Sequence, residues 1–272
     1  MPFIKILRPF NCFFVALSVL FGAFYLNLEP NIVQVIFAAI SATCIAAAGY
    51  VINDFFDLPI DMVNKPSRIL PAGKITPKTA YIYSVFLFLL GIIASYLTHN
   101  FYCVGLAILN SIALFYYAKF FKMSFLAGNI IVSYAAGSTF IYGGLAANNL
   151  KNGLIIAIYA FLYTLIREFI KDAEDIEGDA RFGAKTMAVK FGRKSTAIIS
   201  VIPALVIIGF TFYIQTSISN VTFWMLHILV TLPLILFFTL LLNKIDKENF
   251  NKISTFMKID MLILLIILWI GK

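Results

Sequence analysis

The chain has 272 residues, of which 61% are hydrophobic and only 12% are charged. Soluble domains carry about 25% charged residues, so this composition excludes an ordinary soluble protein and predicts an integral membrane protein. The net charge of +8 could suit a nucleic-acid-binding protein, but the basic residues are placed as in a membrane protein, and we expect no nucleic-acid partner.

Nine apolar stretches follow one another along the chain, and each can cross a bilayer as a helix, which takes about 20 residues. Only helices and closed barrels satisfy their backbone hydrogen bonds in lipid, and these stretches are too long for barrel strands. We therefore predict an all-α membrane protein in which nine helices form a bundle around a central cavity, as one domain over residues 1–272. The predicted helices are 10–28, 31–52, 79–98, 101–118, 125–147, 152–173, 196–215, 221–243 and 254–271.

The basic residues orient this bundle. If the N-terminus is cytoplasmic, 19 of the 21 Lys and Arg residues lie on the inner side, and only Lys151 and Lys272 lie outside. Membrane proteins keep an excess of Lys and Arg in their cytoplasmic segments. The sequence thus predicts a multi-pass protein of the cell membrane with a cytoplasmic N-terminus and an external C-terminus.

Two acidic motifs, NDFFDLPID and KDAEDIEGD, share the spacing D-x-x-D-x-x-x-D. They end the second and the sixth predicted helix, so both lie on the cytoplasmic side and run parallel. This arrangement indicates a degenerate internal repeat related by an axis along the membrane normal. The six carboxylates are Asp54, Asp57, Asp61, Asp172, Asp175 and Asp179.

A charged side chain costs at least ~2.5 kcal/mol at the centre of a membrane helix, so six carboxylates at helix ends call for a compensating charge. Residues at i, i+3 and i+7 share a helix face, where they can converge. Carboxylates suit Mg²⁺ with a phosphorylated substrate, whereas Zn²⁺ would favour Cys or His. The three cysteines lie in apolar stretches and form no C-x-x-C pair, the two histidines are far apart, and we interpret all five as structural.

Each motif also contains a residue that disturbs a helix. Pro59 lacks an N–H and clashes with the preceding turn, so we expect the helix to break near Asp57. Gly178 is expected to loosen the second motif in the same way. The third Asp of each motif is therefore predicted to lie beyond a helix break.

Several basic residues lie beside the motifs or at the cytoplasmic ends of apolar helices, where they can bind phosphate oxygens. Other cytoplasmic cations, such as Lys244, Lys247 and Lys252, fit orientation signals or contacts with lipid headgroups. Carboxylates, Mg²⁺, cations and an apolar bundle together predict a polyprenyl diphosphate substrate, with its tail in lipid. The candidate phosphate ligands are Arg8, Arg68, Lys122, Arg167 and Lys185.

Motifs along the chain resemble those of the UbiA superfamily of intramembrane prenyltransferases over nearly its full length. They are Arg8-Pro9 with Asn11, NDFFDLPID at 53–61, NKPSRILPAG at 64–73, Tyr117 with Lys122, Gly128-Asn129, REFIKDAEDIEGD at 167–179 and GAKTMAVKFG at 183–192. The resemblance implies a Mg²⁺-dependent transferase. It implies that the metal is bound by Asp54, Asp57, Asp172 and Asp175, and that Asp61 and Asp179 act with them. The substrate-binding residues it implies are Arg8, Asn11, Asn53, Arg68, Tyr117, Lys122 and Arg167. Lys185, chosen above for its position beside the second motif, is a further candidate.

Within that superfamily, N-K-P-x-R after the first motif and L-x-G-N at 126–129 look like the archaeal members that build ether lipids. That similarity implies transfer of a geranylgeranyl group from its diphosphate to geranylgeranylglyceryl phosphate, a lipid-like phosphate acceptor, among membrane lipids. One alternative is an aromatic acceptor, such as a quinone precursor or a chlorin. Another is an ion-coupled transporter, but transporter acids lie near the membrane midplane.

Overall fold

The structure is a computed structural model that describes residues 1–25 and 29–271, apart from the side chain of Asn152. Every regular element in these ranges is a helix, as expected. The α-helices are α1 (Pro2–Lys5), α2 (Pro9–Phe24), α3 (Ile32–Phe56), α4 (Leu58–Asn64), α5 (Pro77–Tyr96), α6 (Phe101–Tyr116), α7 (Ala127–Ala146), α8 (Leu150–Glu174), α9 (Ile176–Arg181), α10 (Met187–Tyr213), α11 (Asn220–Leu226), α12 (Leu232–Asn243) and α13 (Lys247–Ile270). A π-helical turn, Tyr117–Phe121, extends α6, and another, His227–Thr231, joins α11 to α12.

Seven helical stretches within the described ranges are long and apolar enough to cross a membrane. Helix α2 has only 16 residues, and α7 is rich in small and polar residues, so neither belongs to that set. The protein is therefore a multi-pass membrane protein, and the count of nine spans stays a prediction. The last three residues of the predicted span 10–28, and Lys272, lie outside the described residues.

Polar residues at helix starts explain where two of the predicted boundaries fail. Helix α10 begins at Met187, because the Thr186 hydroxyl caps it by accepting from the Val189 N–H at 3.3 Å. Helix α13 begins at Lys247, capped by the Asp246 carboxylate. The predicted starts at 196 and 254 are too late, because basic residues such as Lys190 and Lys194 in α10 and Lys252 in α13 precede the apolar stretches. In α10 the difference is partly due to the bend at Gly192, after which the helix continues close to the predicted start.

The chain divides into two compact units, Met1–Lys122 with Gly137–Ala157, and Met123–Ala136 with Ile158–Lys272. The first unit contains the motif at 53–61, and the second contains the motif at 171–179. The expectation of one domain around a central cavity stays a prediction.

In the first unit, α3 packs against α2, α5 and α6. Small residues allow this close packing, as is usual where membrane helices meet without a hydrophobic driving force. The buried Ser41 hydroxyl donates to the Gly91 carbonyl oxygen at 2.6 Å and lies 2.7 Å from the Tyr142 hydroxyl. A Cβ atom on Gly91 would lie 2.6 Å from Ile45 Cγ1, so α5 approaches α3 closely at this glycine.

In the second unit, two tyrosines of α8 form hydrogen bonds to neighbouring helices. The Tyr163 hydroxyl donates to Asp260 Oδ2 of α13 at 2.6 Å, and the Tyr159 hydroxyl lies 2.8 Å from Thr211 Oγ1 of α10. Asp260 is 3% exposed and lies within the candidate span Lys247–Ile270, so it is a buried carboxyl group in a largely apolar helix. Sequence reasoning overlooked Asp260, although an acidic residue within an apolar stretch is itself a signal of a buried partner.

Candidate active site

The first Asp motif is built on a helix break. Helix α3 ends at Phe56, Asp57 has φ −77° and ψ −7°, and α4 begins at Leu58 with Pro59 in its first turn. The predicted break near Asp57 is confirmed, and its cause is the proline, which suits only the first turn of a new helix. Asp54 thus lies in the last turn of the long helix, Asp57 at the junction and Asp61 in the short helix.

The second Asp motif repeats this backbone arrangement. Helix α8 ends at Glu174, Asp175 lies at the junction with φ −95° and ψ 10°, and α9 follows directly. Asp172 and Asp179 therefore occupy the same relative positions as Asp54 and Asp61. The break lies at Asp175 and not at Gly178, which is inside α9, so only the expected position of this break is wrong.

Two arginines neutralise the outer carboxylates of the first motif. Arg8 Nη2 lies 2.6 Å from Asp54 Oδ1, and Arg68 Nη1 lies 2.6 Å from Asp61 Oδ2. Arg68 also lies 3.7 Å from Asp54 Oδ1, so its guanidinium reaches both sides of the helix break. The structure thus brings together four of the residues that the sequence predicted for this site.

The middle carboxylate of the first motif has two partners of its own. Lys122 Nζ forms an ion pair with Asp57 Oδ2, and Asn53 Nδ2 donates to the same oxygen at 2.8 Å. The π-helical turn Tyr117–Phe121 leads directly into Lys122, whose N–H donates to the Tyr117 carbonyl oxygen at 2.9 Å. This wider turn brings the end of α6 to the motif, as π-turns often do at functional sites.

Arg8 has an unusual backbone conformation for a residue with a side chain. Its φ of 54° and ψ of 66° are left-handed, and it precedes the first turn of α2. Such conformations cost on the order of 1–3 kcal/mol and concentrate at functional sites. The Arg8 guanidinium carbon also lies 5.1 Å from the centre of the Tyr50 ring, whereas Asn11, in the first turn of α2, is exposed.

The second motif lacks such counter-charges at two of its carboxylates. Asn129 Nδ2 donates to Asp172 Oδ2 at 2.9 Å, and Asp175 is exposed. Over residues 1–25 and 29–271, neither Asp172 nor Asp175 forms an ion pair. Sequence reasoning did not select Asn129 as a site residue, although the L-x-G-N pattern contains it.

The cations predicted for the second motif are placed differently from those of the first. Arg167 Nη1 pairs with Glu168 Oε1 at 3.0 Å, and its Nε is buried with no hydrogen-bond partner in the described part of the chain. The Lys185 side chain is exposed, and the Lys185 N–H donates to the Met123 carbonyl oxygen at 2.9 Å. The structure therefore brings neither cation into an ion pair with a motif Asp, and the Arg167 Nε remains available to a ligand.

The donor set at each motif fits Mg²⁺. Within the described ranges, no three His, Cys, Asp or Glu side chains converge to form a complete metal cage. Mg²⁺ needs no such cage, because it is usually bound through one or two carboxylates together with substrate phosphates and water. In the described ranges, Asp172 and Asp175 form no ion pair, so a metal would meet no competing Lys or Arg at their oxygens. At the first motif, Arg8 and Lys122 each contact one oxygen, of Asp54 and of Asp57.

Known proteins of one family are similar to this chain over most of its length. The model of the UbiA prenyltransferase family matches residues 14–262. A digeranylgeranylglyceryl phosphate synthase from Sulfurisphaera tokodaii is 39% identical over 274 residues, which cover 99% of this chain and 97% of the relative. The synthase of the same name from Methanocaldococcus jannaschii is 34% identical over 272 residues, which cover 99% of this chain and 95% of the relative.

Solved structures show the same fold. A structure described as digeranylgeranylglyceryl phosphate synthase in membranes has a TM-score of 0.88 and 32% identity, and covers 99% of this chain and 97% of that one. A UbiA homologue from Archaeoglobus fulgidus, bound to GPP and Mg²⁺, has a TM-score of 0.74 over 99% of both chains, but only 16% identity. The second likeness shows the fold alone. Because the family model and the relatives cover most of the sequence, this chain belongs to the UbiA prenyltransferase family.

Proposed function

We propose that this prenyltransferase transfers a geranylgeranyl group from geranylgeranyl diphosphate to geranylgeranylglyceryl phosphate. The observation that carries the proposal is the likeness, over 99% of this chain, to the Sulfurisphaera tokodaii protein named digeranylgeranylglyceryl phosphate synthase. In the reaction, an ether bond forms between the acceptor hydroxyl oxygen and C1 of the prenyl chain. The C1–O bond to the diphosphate breaks, pyrophosphate leaves with the electron pair, and the hydroxyl proton is released to a base.

The first motif and its cations form a group suited to a diphosphate. Asp54 and Asp57 would hold Mg²⁺, which would supply stabilisation of negative charge on the leaving pyrophosphate. Arg8, Arg68 and Lys122 already contact the motif carboxylates, so phosphate oxygens bound there meet charged N–H donors. Charged donors of this kind make short, strong hydrogen bonds to phosphate.

The remaining predicted site residues take supporting roles in this proposal. Asp172 and Asp175 would bind metal. The third carboxylates, Asp61 and Asp179, would add negative charge beside the metal ligands of their motifs. Asn53 orients Asp57 through its 2.8 Å hydrogen bond. The residues proposed to contact substrate groups are Arg8, Asn11, Asn53, Arg68, Tyr117, Lys122, Arg167 and Lys185.

The proposal extends to the membrane arrangement. We infer nine spans with the N-terminus in the cytoplasm, because 19 of 21 basic residues then lie on the inner side. Both Asp motifs would face the cytoplasm, where soluble Mg²⁺ is available and the prenyl tail remains in lipid. The acceptor's phosphate agrees with the excess of cations on that side.

An acceptor competition tests the proposed reaction. The purified protein is incubated with labelled geranylgeranyl diphosphate, Mg²⁺ and either geranylgeranylglyceryl phosphate or an aromatic acceptor such as a quinone precursor. The expected product is the diether phosphate, formed only with the lipid acceptor and lost when Mg²⁺ is chelated. Product formed with the aromatic acceptor alone would refute the assignment of the acceptor.

A further inference from the structure

Arg193 lies at a bend within α10. Gly192, directly before it, has φ 81° and ψ 169°, which is not helical and which a residue with a Cβ atom adopts only with strain. The bend allows the side chain of Arg193, at the start of the straight part of α10, to reach the end of α8. The Arg193 side chain is 21% exposed and is therefore mostly covered.

The Arg193 guanidinium binds both sides of the second helix break. Its Nε donates to the Ala173 carbonyl oxygen at 2.9 Å, and its Nη2 donates to Glu177 Oε1 at 2.6 Å. Ala173 is in the last turn of α8, where carbonyl groups have no partner within the helix, and Glu177 is in α9. Asp175 lies between these two contacts, so one side chain connects α8, α9 and α10 around the middle Asp of the motif.

The two motifs use an arginine in different ways. Arg68 contacts the motif carboxylates themselves, Asp61 at 2.6 Å and Asp54 at 3.7 Å. Arg193 instead contacts a backbone carbonyl and a glutamate outside the D-x-x-D-x-x-x-D pattern. It can therefore fix the geometry of the second break without competing for the carboxylate oxygens that a metal would use.

We propose that Arg193 is a positioning residue for the second Asp motif. By binding Ala173 and Glu177, it sets the angle between α8 and α9, and with it the separation of Asp172, Asp175 and Asp179 when they bind Mg²⁺ and a diphosphate. This inference rests on the proposed function for the metal role of the motif. The contacts with Ala173 and Glu177 argue against the simpler interpretation that Arg193 only marks the cytoplasmic side of the membrane.

Binding measurements on the intact protein in detergent test the proposal without the acceptor. Mn²⁺ is titrated with geranylgeranyl diphosphate present, and its binding is followed by electron paramagnetic resonance for the wild type, Arg193→Ala, Arg193→Lys and Glu177→Gln. Substitution of a residue that orients metal ligands typically lowers metal affinity by about 10–100-fold. We expect Arg193→Ala to weaken Mn²⁺ binding by about tenfold or more, with smaller losses for Arg193→Lys and Glu177→Gln.

Lys194→Ala provides the matched control, because Lys194 is the exposed next residue and its loss removes the same charge. Hydrogen exchange over residues 173–181 should become faster in Arg193→Ala and stay unchanged in Lys194→Ala. Wild-type Mn²⁺ affinity in Arg193→Ala, or an equal loss in Lys194→Ala, would overturn the proposal. If Arg193→Ala does not fold, Glu177→Gln decides by the same two readouts. A wild type that binds Mn²⁺ and diphosphate but forms no diether product refutes the proposed function and not the role of Arg193.

Discussion

The contact between α2 and α7 in the first unit predicts a large effect of a very small substitution. A Cβ atom on Gly143 would lie 1.9 Å from the Val19 carbonyl oxygen, 2.7 Å from the Ala23 nitrogen and 2.9 Å from the Val19 carbonyl carbon. All three atoms belong to the backbone of α2, so rotation of a side chain cannot relieve the clash. We therefore expect Gly143→Ala to force the two helices apart.

The size of this movement sets the expected cost. Carbon and oxygen atoms in close helix contacts lie about 3.3 Å apart, so a 1.9 Å contact requires a separation of roughly 1.4 Å. A gap of even 0.5–1 Å removes a quarter to a half of the dispersion energy of each atom pair it opens. Overpacking of this kind costs about 1–3 kcal/mol, and we expect the upper end because only backbone can move.

Thermal unfolding in detergent, followed by circular dichroism, measures this effect. A protein of this size loses about 2–4 °C in Tm for each kcal/mol, so a cost of about 3 kcal/mol in Gly143→Ala should lower Tm by about 6–12 °C. Gly105→Ala is the matched control, because nothing lies within 4 Å of its Cβ position in α6, and there the alanine should be neutral or stabilising. An unchanged Tm for Gly143→Ala, or an equal loss for both variants, would refute the close approach of α2 and α7.

Two further predictions concern other contacts. Among the described residues, the Tyr163 hydroxyl is the only side chain that donates a hydrogen bond to the Asp260 carboxyl. Tyr163→Phe removes this hydrogen bond and should lower the free energy of unfolding by about 1–3 kcal/mol. Adding Asp260→Leu should restore part of this loss in chemical unfolding experiments, and a purely additive double mutant would contradict the pairing. Lys122→Ala removes the ammonium group from the first motif and should raise KM for the prenyl diphosphate by about tenfold, or 1.4 kcal/mol. Lys119→Ala is its control in steady-state kinetics, because Lys119 is exposed and its ammonium lies 4.8 Å from the Phe120 ring; equal effects would argue against a specific role for Lys122.

Features of the fold that depend on residues close together in the sequence could be predicted from the sequence. Pro59 predicted the helix break at Asp57 because its ring and missing N–H act within one turn. The repeated D-x-x-D-x-x-x-D spacing predicted that the two motifs would be alike, and both do place their middle Asp at a junction. The starts of α10 and α13 were predicted too late because apolarity, and not the caps at Thr186 and Asp246, was used to place them.

Contacts between distant parts of the chain could not be predicted in this way. Arg8 and Lys122 were candidates, but their separate partners, Asp54 and Asp57, follow from helix packing that no spacing reveals. Arg193 was counted only as a cytoplasmic cation. Its role emerges from a bend at Gly192, and nothing in the sequence says towards which helix that bend directs it.

The central claim is that both Asp motifs carry Mg²⁺-dependent prenyl transfer, and Asp54→Ala and Asp175→Ala test it most directly. Each variant is purified, checked for wild-type thermal unfolding, and assayed with labelled geranylgeranyl diphosphate, geranylgeranylglyceryl phosphate and a range of Mg²⁺ concentrations. Both variants should fold and lose at least about 10²-fold in turnover, as expected when a group that stabilises the leaving charge is removed. Mg²⁺-dependent turnover at the wild-type rate in either variant would contradict the claim.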